Sequence, residues 1–325
     1  MQPFSLDSPE NIIDKTKNLK TVDIYILSHN RPNFIAETID SVKNQTLQEY
    51  NLYISDNSTT DDVERVIRQQ YGDVIYIRRP SSLSALAHFK TIIEESTAEF
   101  LVMFHDDDVM MPRYLETLLG IITSDNGIAA VGCNGRILQN SRLTNTILLQ
   151  KTDGINIINS GGELFLQYCS PIDHVAPFPG YMYRSSKIKG LYLNSEYGGK
   201  HSDVSFLMQV AQRGKIIWSY APLIQYRVHG SNDSSTIHIK QQASLLGFVY
   251  QNTKIQKNDH AIKIYKLKYL LHWWRCNKNS KNKVFAKRII LKAITLRLIS
   301  AYLCRPHILA SKISQLARKF YNQPR

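Results

Sequence analysis

Cysteine is scarce in this sequence: Cys133, Cys169, Cys276 and Cys304 stand far apart, without CxxC spacing. That excludes a disulfide scaffold and suits a reducing cytosol. No uncharged apolar run reaches the length of a membrane-spanning helix. The polar leader, residues 1–20, carries Asp7, Glu10 and Asp14 and has no apolar h-region, which argues against a secretory signal. Glycine is missing from SHNRPNF (28–34), where a nucleotidyltransferase would place a Gly-rich phosphate loop after its first strand. Acidic residues are nearly missing from the last ninety positions. Residues 236–325 hold 19 Lys and Arg against Asp259 alone, a balance of +18, whereas residues 1–235 balance at −5. The net charge of +13 therefore belongs to the tail.

What is present is apolar substance in a regular order. With 43% hydrophobic residues over 325 positions, the chain can bury a substantial core in one large domain or two smaller ones. Short apolar runs, VDIYILS (22–28), NLYIS (51–55), DVIYI (73–77), EFLVMF (99–104) and GIAAVG (127–132), alternate with segments of helical period. Ile35, Ile39 and Val42, for example, follow the helix-start signal Asn30-Arg31-Pro32-Asn33. Strand–helix alternation of this kind predicts an α/β fold, a Rossmann-like, mainly parallel sheet flanked by helices. From about 135 to 235 the pattern is less regular. A helix is expected over 203–213, ending at Gly214, followed by two short strands, KIIW and LIQYRV.

The stretch FLVMFHDDDVMMP (100–112) drives an apolar strand into Asp106, Asp107 and Asp108. An acidic triplet is most often a solvated turn. Here it follows a run that reads as buried on both faces, and ligands of open α/β sheets gather beyond the carboxyl ends of such strands. Like charges packed together persist most easily where a cation neutralises them. Oxygen ligands suit Mg²⁺ or Mn²⁺ holding the diphosphate of a nucleotide. Three further positions stand at element ends: Asp56 in ISDNSTTDD, Asp203 at the start of a helix, and His229 in YRVHGSND. Taken singly, each reads equally as a turn residue, an N-cap or a surface histidine.

Taken in order, these motifs resemble family 2 of the glycosyltransferases, inverting enzymes with the GT-A fold. The resemblance covers 22–235 and rests on VDIYILSHNRP, ISDNSTTDD, SSLSALAHFKTIIEES, HDDDVMMP, HSDVSFLMQVAQRGKI and YRVHGSND. It implies a metal-dependent hexosyltransferase with a nucleotide-binding half over about 21–134 and an acceptor half over about 135–235. By position, Asp56 would contact the base or ribose of a nucleotide-sugar donor, a UDP-sugar above all. Asp107 would ligate Mn²⁺ or Mg²⁺, with Asp108 and His229 supporting the metal or the diphosphate. Asp203 would be the catalytic base. Two departures stand out: His105 replaces the first Asp of the family's DxD motif, so that Asp106 or the imidazole would meet the ribose, and Ser202 replaces the acidic residue before the base. Arg78 and Arg79 are candidates for the diphosphate or for solvent. Tyr181, Tyr183 and Arg184 either line the acceptor site or pack, and Trp218 reads as core.

A single base opposite the leaving group implies in-line displacement with inversion. The resemblance further implies a glycan or lipid-linked oligosaccharide acceptor in O-antigen or capsule assembly. A sugar-nucleotide-binding membrane scaffold without catalysis is the non-enzymatic alternative. The tail, 236–325, is expected to form basic helices. Its charge beside Tyr265, Tyr269, Trp273 and Trp274 suits an anionic membrane surface, which would place the protein in the cytoplasm, peripheral on the inner membrane. Nucleic acid is the weaker partner, for no nucleic-acid motif is present.

Overall fold

The computed structural model describes residues 21–170, 175–229, 239–263 and 265–266. The elements run β1 (Val22–Ser28), α1 (Pro32–Lys43), β2 (Tyr50–Asp56), α2 (Asp62–Gln70), β3 (Ile75–Arg78), α3 (Ala85–Glu95), β4 (Phe100–His105), β5 (Val109–Met110) and α4 (Tyr114–Thr123). There follow β6 (Ile128–Gln139), β7 (Arg142–Ile147), β8 (Ile155–Ile158), α5 (Gly161–Cys169), β9 (Tyr181–Arg184), α6 (Ser185–Ile188), α7 (Ser202–Arg213), β10 (Lys215–Val228) and α8 (Ile239–Asn252). The five apolar runs read from the sequence are β1, β2, β3, β4 and β6.

One sheet gathers all the described strands in the order β3-β2-β1-β4-β9-β6-β10-β5, with β7 on β6 and β8 on β10. β3, β2, β1 and β4 are mutually parallel, as are β6 and β10. The short β9 runs antiparallel between β4 and β6 and joins the two parallel blocks. Because β2 and β3 build outward on one side of β1 and β4 lies on the other, the chain reverses its winding between β1 and β4. A crevice opens at such a reversal, beyond the carboxyl ends of the strands.

Alternation along the strands sorts the core into two layers. Val22, Ile24 and Ile26 of β1 and Phe100, Val102 and Phe104 of β4 face α1, α2 and α4. Tyr25, Leu101 and Met103 face the other way, toward α3, α5, α7 and α8. Continuing that alternation past Phe104 sends His105 toward the α7 side and Asp106 toward α1.

One open alternative is decided and two expectations are revised. Tyr181 and Tyr183 are fully buried and stacked on each other in β9, so they pack. Arg184 beside them is a structural tie, donating to the Ile122 and Ile128 carbonyls and to Glu99. KIIW and LIQYRV form one long strand, β10, with register shifts around Pro222. Tyr265, assigned with the tail to a membrane surface, is buried against Phe165 and Tyr168. Leu245, Phe248 and Val249 of α8 are buried in the same layer, so the basic region begins as docked helix. Tyr269, Trp273 and Trp274 lie outside the described residues. Trp218 is core, as read.

Helix α7 stops at Gly214 in extended backbone, φ 169°, not in a left-handed cap. Glycine is required there for space. A Cβ at 214 would stand 2.5 Å from the Gly127 carbonyl oxygen and 3.0 Å from Ala129 Cβ. Since the obstacle is backbone, Gly214→Ala is expected to destabilise the fold by about 1–3 kcal/mol. A melting temperature equal to that of the wild type would show that β6 and β10 approach less closely.

Candidate functional site

The site grows from the turn that follows β4. Asp106, Asp107 and Asp108 are 0%, 5% and 2% exposed, which rules out a solvated turn. Burial of adjacent carboxylates is tolerated only with donors and cations around them, and the chain supplies these from three elements. From the β1 end, Ser28 Oγ and the His29 backbone N–H donate to Asp106 Oδ2 at 2.9 and 3.0 Å, while Arg31 Nη1 donates to Oδ1 at 2.8 Å. From α1, Thr38 Oγ1 lies 3.0 Å from the carbonyl oxygen of Asp106 and 2.8 Å from that of Asp108. From β10, Arg227 donates its backbone N–H to Asp108 Oδ1 at 2.8 Å and its Nε–H to the Asp107 carbonyl at 2.7 Å. The Arg227 guanidinium also lies over the Phe34 ring.

Asp107 carries the exposed end of this network. Its Oδ2 lies 2.8 Å from His229 Nε2 and 3.4 Å from Arg31 Nη1. Asp108 presents an anomaly: Oδ2 is buried and has no hydrogen-bond partner among the described residues. Burial, with the Asp107 charge beside it, pushes the Asp108 carboxyl well above the ordinary carboxylate range. Asp106 is likewise raised by burial, against the pull of Arg31. His105 Nδ1 stands 3.7 Å from the orphan Asp108 oxygen. Ligand atoms of His105, Asp107 and Asp108 all lie within 4.8 Å of one another. The residues therefore fit a divalent cation: one buried oxygen lacks a partner, and a second carboxylate and an imidazole are within reach of the same point.

The second group of predicted residues gathers at the neighbouring strand end. Asp56 is fully buried at the end of β2, where Oδ1 accepts from the Ser58 N–H at 2.8 Å and Oδ2 from Tyr76 OH at 2.7 Å and Arg78 Nη1 at 3.0 Å. Arg78 also donates to the Ser58 carbonyl and pairs with Asp61, so it braces this loop. Arg79 turns away to Ser55 and Glu95. The loop after β1 bridges both groups. His29 Nδ1 lies 3.1 Å from the Asn57 carbonyl, and the Asn30 N–H donates to Ser58 Oγ at 2.7 Å. Asn30 takes a left-handed φ of 57°, a conformation that asparagine tolerates, and so lets Arg31 turn back onto the acidic residues.

Asp203 lies in the first turn of α7, after the N-cap His201, whose side chain makes no cap bond. Its carboxyl is raised from 3.8 to about 6 by burial, which outweighs the backbone N–H groups of the helix start. Part of its surface stays open. Tyr226, half-buried on β10, feels the charges of Asp108, Asp107 and Asp203 together. The raised carboxyl and the acidic turn thus both lie within electrostatic reach of one tyrosine, and Phe178 packs on His105 and on Phe206 of α7.

A family model described as glycosyl transferase family 2 matches residues 23–187, half of the chain. The chain belongs to that family. A chondroitin synthase of Escherichia coli is 25% identical over 138 residues, 41% of this chain and 20% of that protein, so the match spans a fifth of the relative's length. Among solved structures, S. aureus TarS 1–349 in complex with UDP-GlcNAc matches with a TM-score of 0.58 at 14% identity, covering 84% of this chain and 79% of that one. TarS 1–349 in another structure gives 0.59 at 13% identity, covering 86% and 83%. These likenesses bear on the fold, and the fold is that of the GT-A glycosyltransferases of family 2.

Of the site residues expected from sequence, His105, Asp106, Asp107, Asp108 and His229 converge, Asp56 and Arg78 form the adjoining loop, and Asp203 stands apart on α7, its charge reaching Tyr226 together with those of Asp107 and Asp108. Arg31, Thr38, Arg227 and Tyr226 were not singled out. Arg31 and Arg227 lie within the quoted motifs SHNRP and YRVH, and the signal that could have found them is the demand of three buried carboxylates for cations.

The Asp203 shift has a consequence for stability. The folded chain holds this proton more tightly than the unfolded one, so the contribution is fully present below about pH 4 and is lost as pH rises through about 6. Asp203→Asn is therefore expected to melt above the wild type at pH 8, with the two curves converging near about pH 4. Equal melting temperatures at both pH values would show that Asp203 is solvated as an ordinary carboxylate.

Proposed function

We propose that this protein transfers a sugar from a nucleotide-sugar donor to an acceptor hydroxyl with inversion. The observation that carries the reading is the presence of two carboxylate centres whose charges both reach Tyr226: an acidic turn with a buried oxygen that has no partner among the described residues, and the raised Asp203.

A divalent cation held by Asp107 and Asp108 would, when bound, neutralise the diphosphate of the donor and of the leaving nucleotide. The chain's own residues do the rest. His229 and Arg31 orient Asp107. The Asp56–Arg78 pair, braced by Tyr76, shapes the wall for the base and ribose. Both oxygens of Asp106 are already engaged by Ser28, His29 and Arg31, so its part is to fix the β1 loop that meets the nucleotide. Asp203 accepts the acceptor's proton. A carboxylate near 6 is a better base than one near 3.8 and remains ionised at neutral pH.

The finer reading follows the relatives. TarS holds UDP-GlcNAc on the same fold, which supports a UDP-sugar donor. The likeness to a chondroitin synthase supports a glycan acceptor, free or lipid-linked, in surface-polysaccharide assembly. No helix among the described residues is long and apolar enough to cross a membrane. Attachment to anionic lipid would fall to the tail beyond residue 266, whose charge supports a peripheral place on the cytoplasmic face.

Incubating the protein with a panel of nucleotide sugars, Mn²⁺ and glycan acceptors, and scoring nucleotide release, tests the reading. Asp203→Asn is expected to lower turnover by about 10²- to 10⁴-fold with donor affinity retained. Asp107→Asn is expected to weaken metal-dependent donor binding itself. Full turnover by either variant, or an Asp203→Asn loss confined to donor binding, contradicts the assignment.

A further inference from the structure

The motif departure at position 105 has a chemical meaning that rests on the metal reading above and extends it. His105 ends β4 with its ring beside a pair of phenyl rings, Phe89 at 6.2 Å and Phe178 at 6.4 Å between centroids. Those rings are themselves packed edge to face at 5.5 Å. The imidazole is thus oriented by packing, and neither of its nitrogens has a hydrogen-bond partner among the described residues. Its side chain is 31% exposed and so can be reached by an ion from solvent. Nδ1 faces the one buried carboxylate oxygen of the turn that also lacks a partner, Asp108 Oδ2 at 3.7 Å. That separation is less than two metal–ligand bonds of about 2.1 Å laid end to end. Two unsatisfied donor atoms, one nitrogen and one oxygen, point at the same small space, and Asp107 supplies a third.

We infer that His105 is itself a ligand of the cation, making a His–Asp–Asp site in place of an all-carboxylate one. His229, by contrast, acts on Asp107 through its Nε2 and stands outside the cluster. An imidazole nitrogen is a poor ligand for Mg²⁺, which demands hard oxygen, and a good one for transition ions. The site therefore selects Mn²⁺ or a later first-row ion over Mg²⁺. Replacing His105 by Asp removes that preference.

The test uses the full chain with Mn²⁺ alone and with Mn²⁺ plus UDP, read by electron paramagnetic resonance. Pulsed measurement is expected to detect ¹⁴N coupling to bound Mn²⁺ in the wild type and in His229→Asn. The coupling should vanish in His105→Asp and in His105→Gln. Competition with Mg²⁺ should displace Mn²⁺ from His105→Asp more readily than from the wild type, by about tenfold or more. Bound Mn²⁺ without ¹⁴N coupling in the wild type, or coupling that survives both substitutions at His105, overturns the His105 assignment and leaves Asp107 and Asp108 as the metal residues. No bound Mn²⁺ under either condition overturns the metal site as a whole. The nucleotide-release assay reports on sugar transfer separately, so the two readings can fail independently.

Discussion

Three adjacent carboxylates buried at a strand end are the constraint on which this structure turns. Their mutual repulsion and the loss of water would expel them from the fold if nothing answered their charge. The answer comes from parts of the chain far apart in sequence: Arg31 and the His29 amide from the loop after β1, Thr38 from α1, Arg227 and His229 from the end of β10. Each is placed by an element whose formation depends on the apolar layers beneath it. Among the described residues, one oxygen of the turn is left unanswered, Asp108 Oδ2.

Asp203 shows the opposite compromise. Its charge reaches Tyr168, Tyr181, Tyr183 and Tyr226, whose hydroxyls are made harder to ionise first by burial and then by that charge. Among the described residues no cation pairs with it. The fold is less stable at neutral pH for keeping it, and that loss leaves a carboxylate with stronger affinity for a proton than free Asp has. Alternation along β4 sends His105 toward α7, where Phe178 packs on both His105 and Phe206.

Most of the first half of the fold was legible. Runs such as VDIYILS and FLVMF are buried on both faces, and their continuous apolarity marks them without ambiguity. β9 was not legible as a strand, because in GYMYRSS tyrosines and an arginine occupy positions that become fully buried only once β4 and β6 close around them. β10 read as two strands because Pro222 interrupts the pattern at a bulge that tertiary pairing absorbs. The acidic turn, Asp56, Asp203 and His229 could be found as positions through motif order. Their partners could not, since the pairing of Arg31 with Asp106 spans 75 residues and that of Arg227 with the Asp107 carbonyl spans 120. Tyr265 counted as a surface aromatic by composition, and packing against Phe165 and Tyr168 decided otherwise.

The central claim is that the buried acidic turn holds a nucleotide diphosphate through a divalent cation. Titration calorimetry of UDP into the protein, first with Mn²⁺ and then after its removal by EDTA, tests it most directly. The account predicts saturable one-site binding with Mn²⁺ and a loss of affinity of about tenfold or more without it. Equal affinity in both conditions would contradict the claim and leave the three carboxylates as a structural turn neutralised by Arg31 and Arg227 alone.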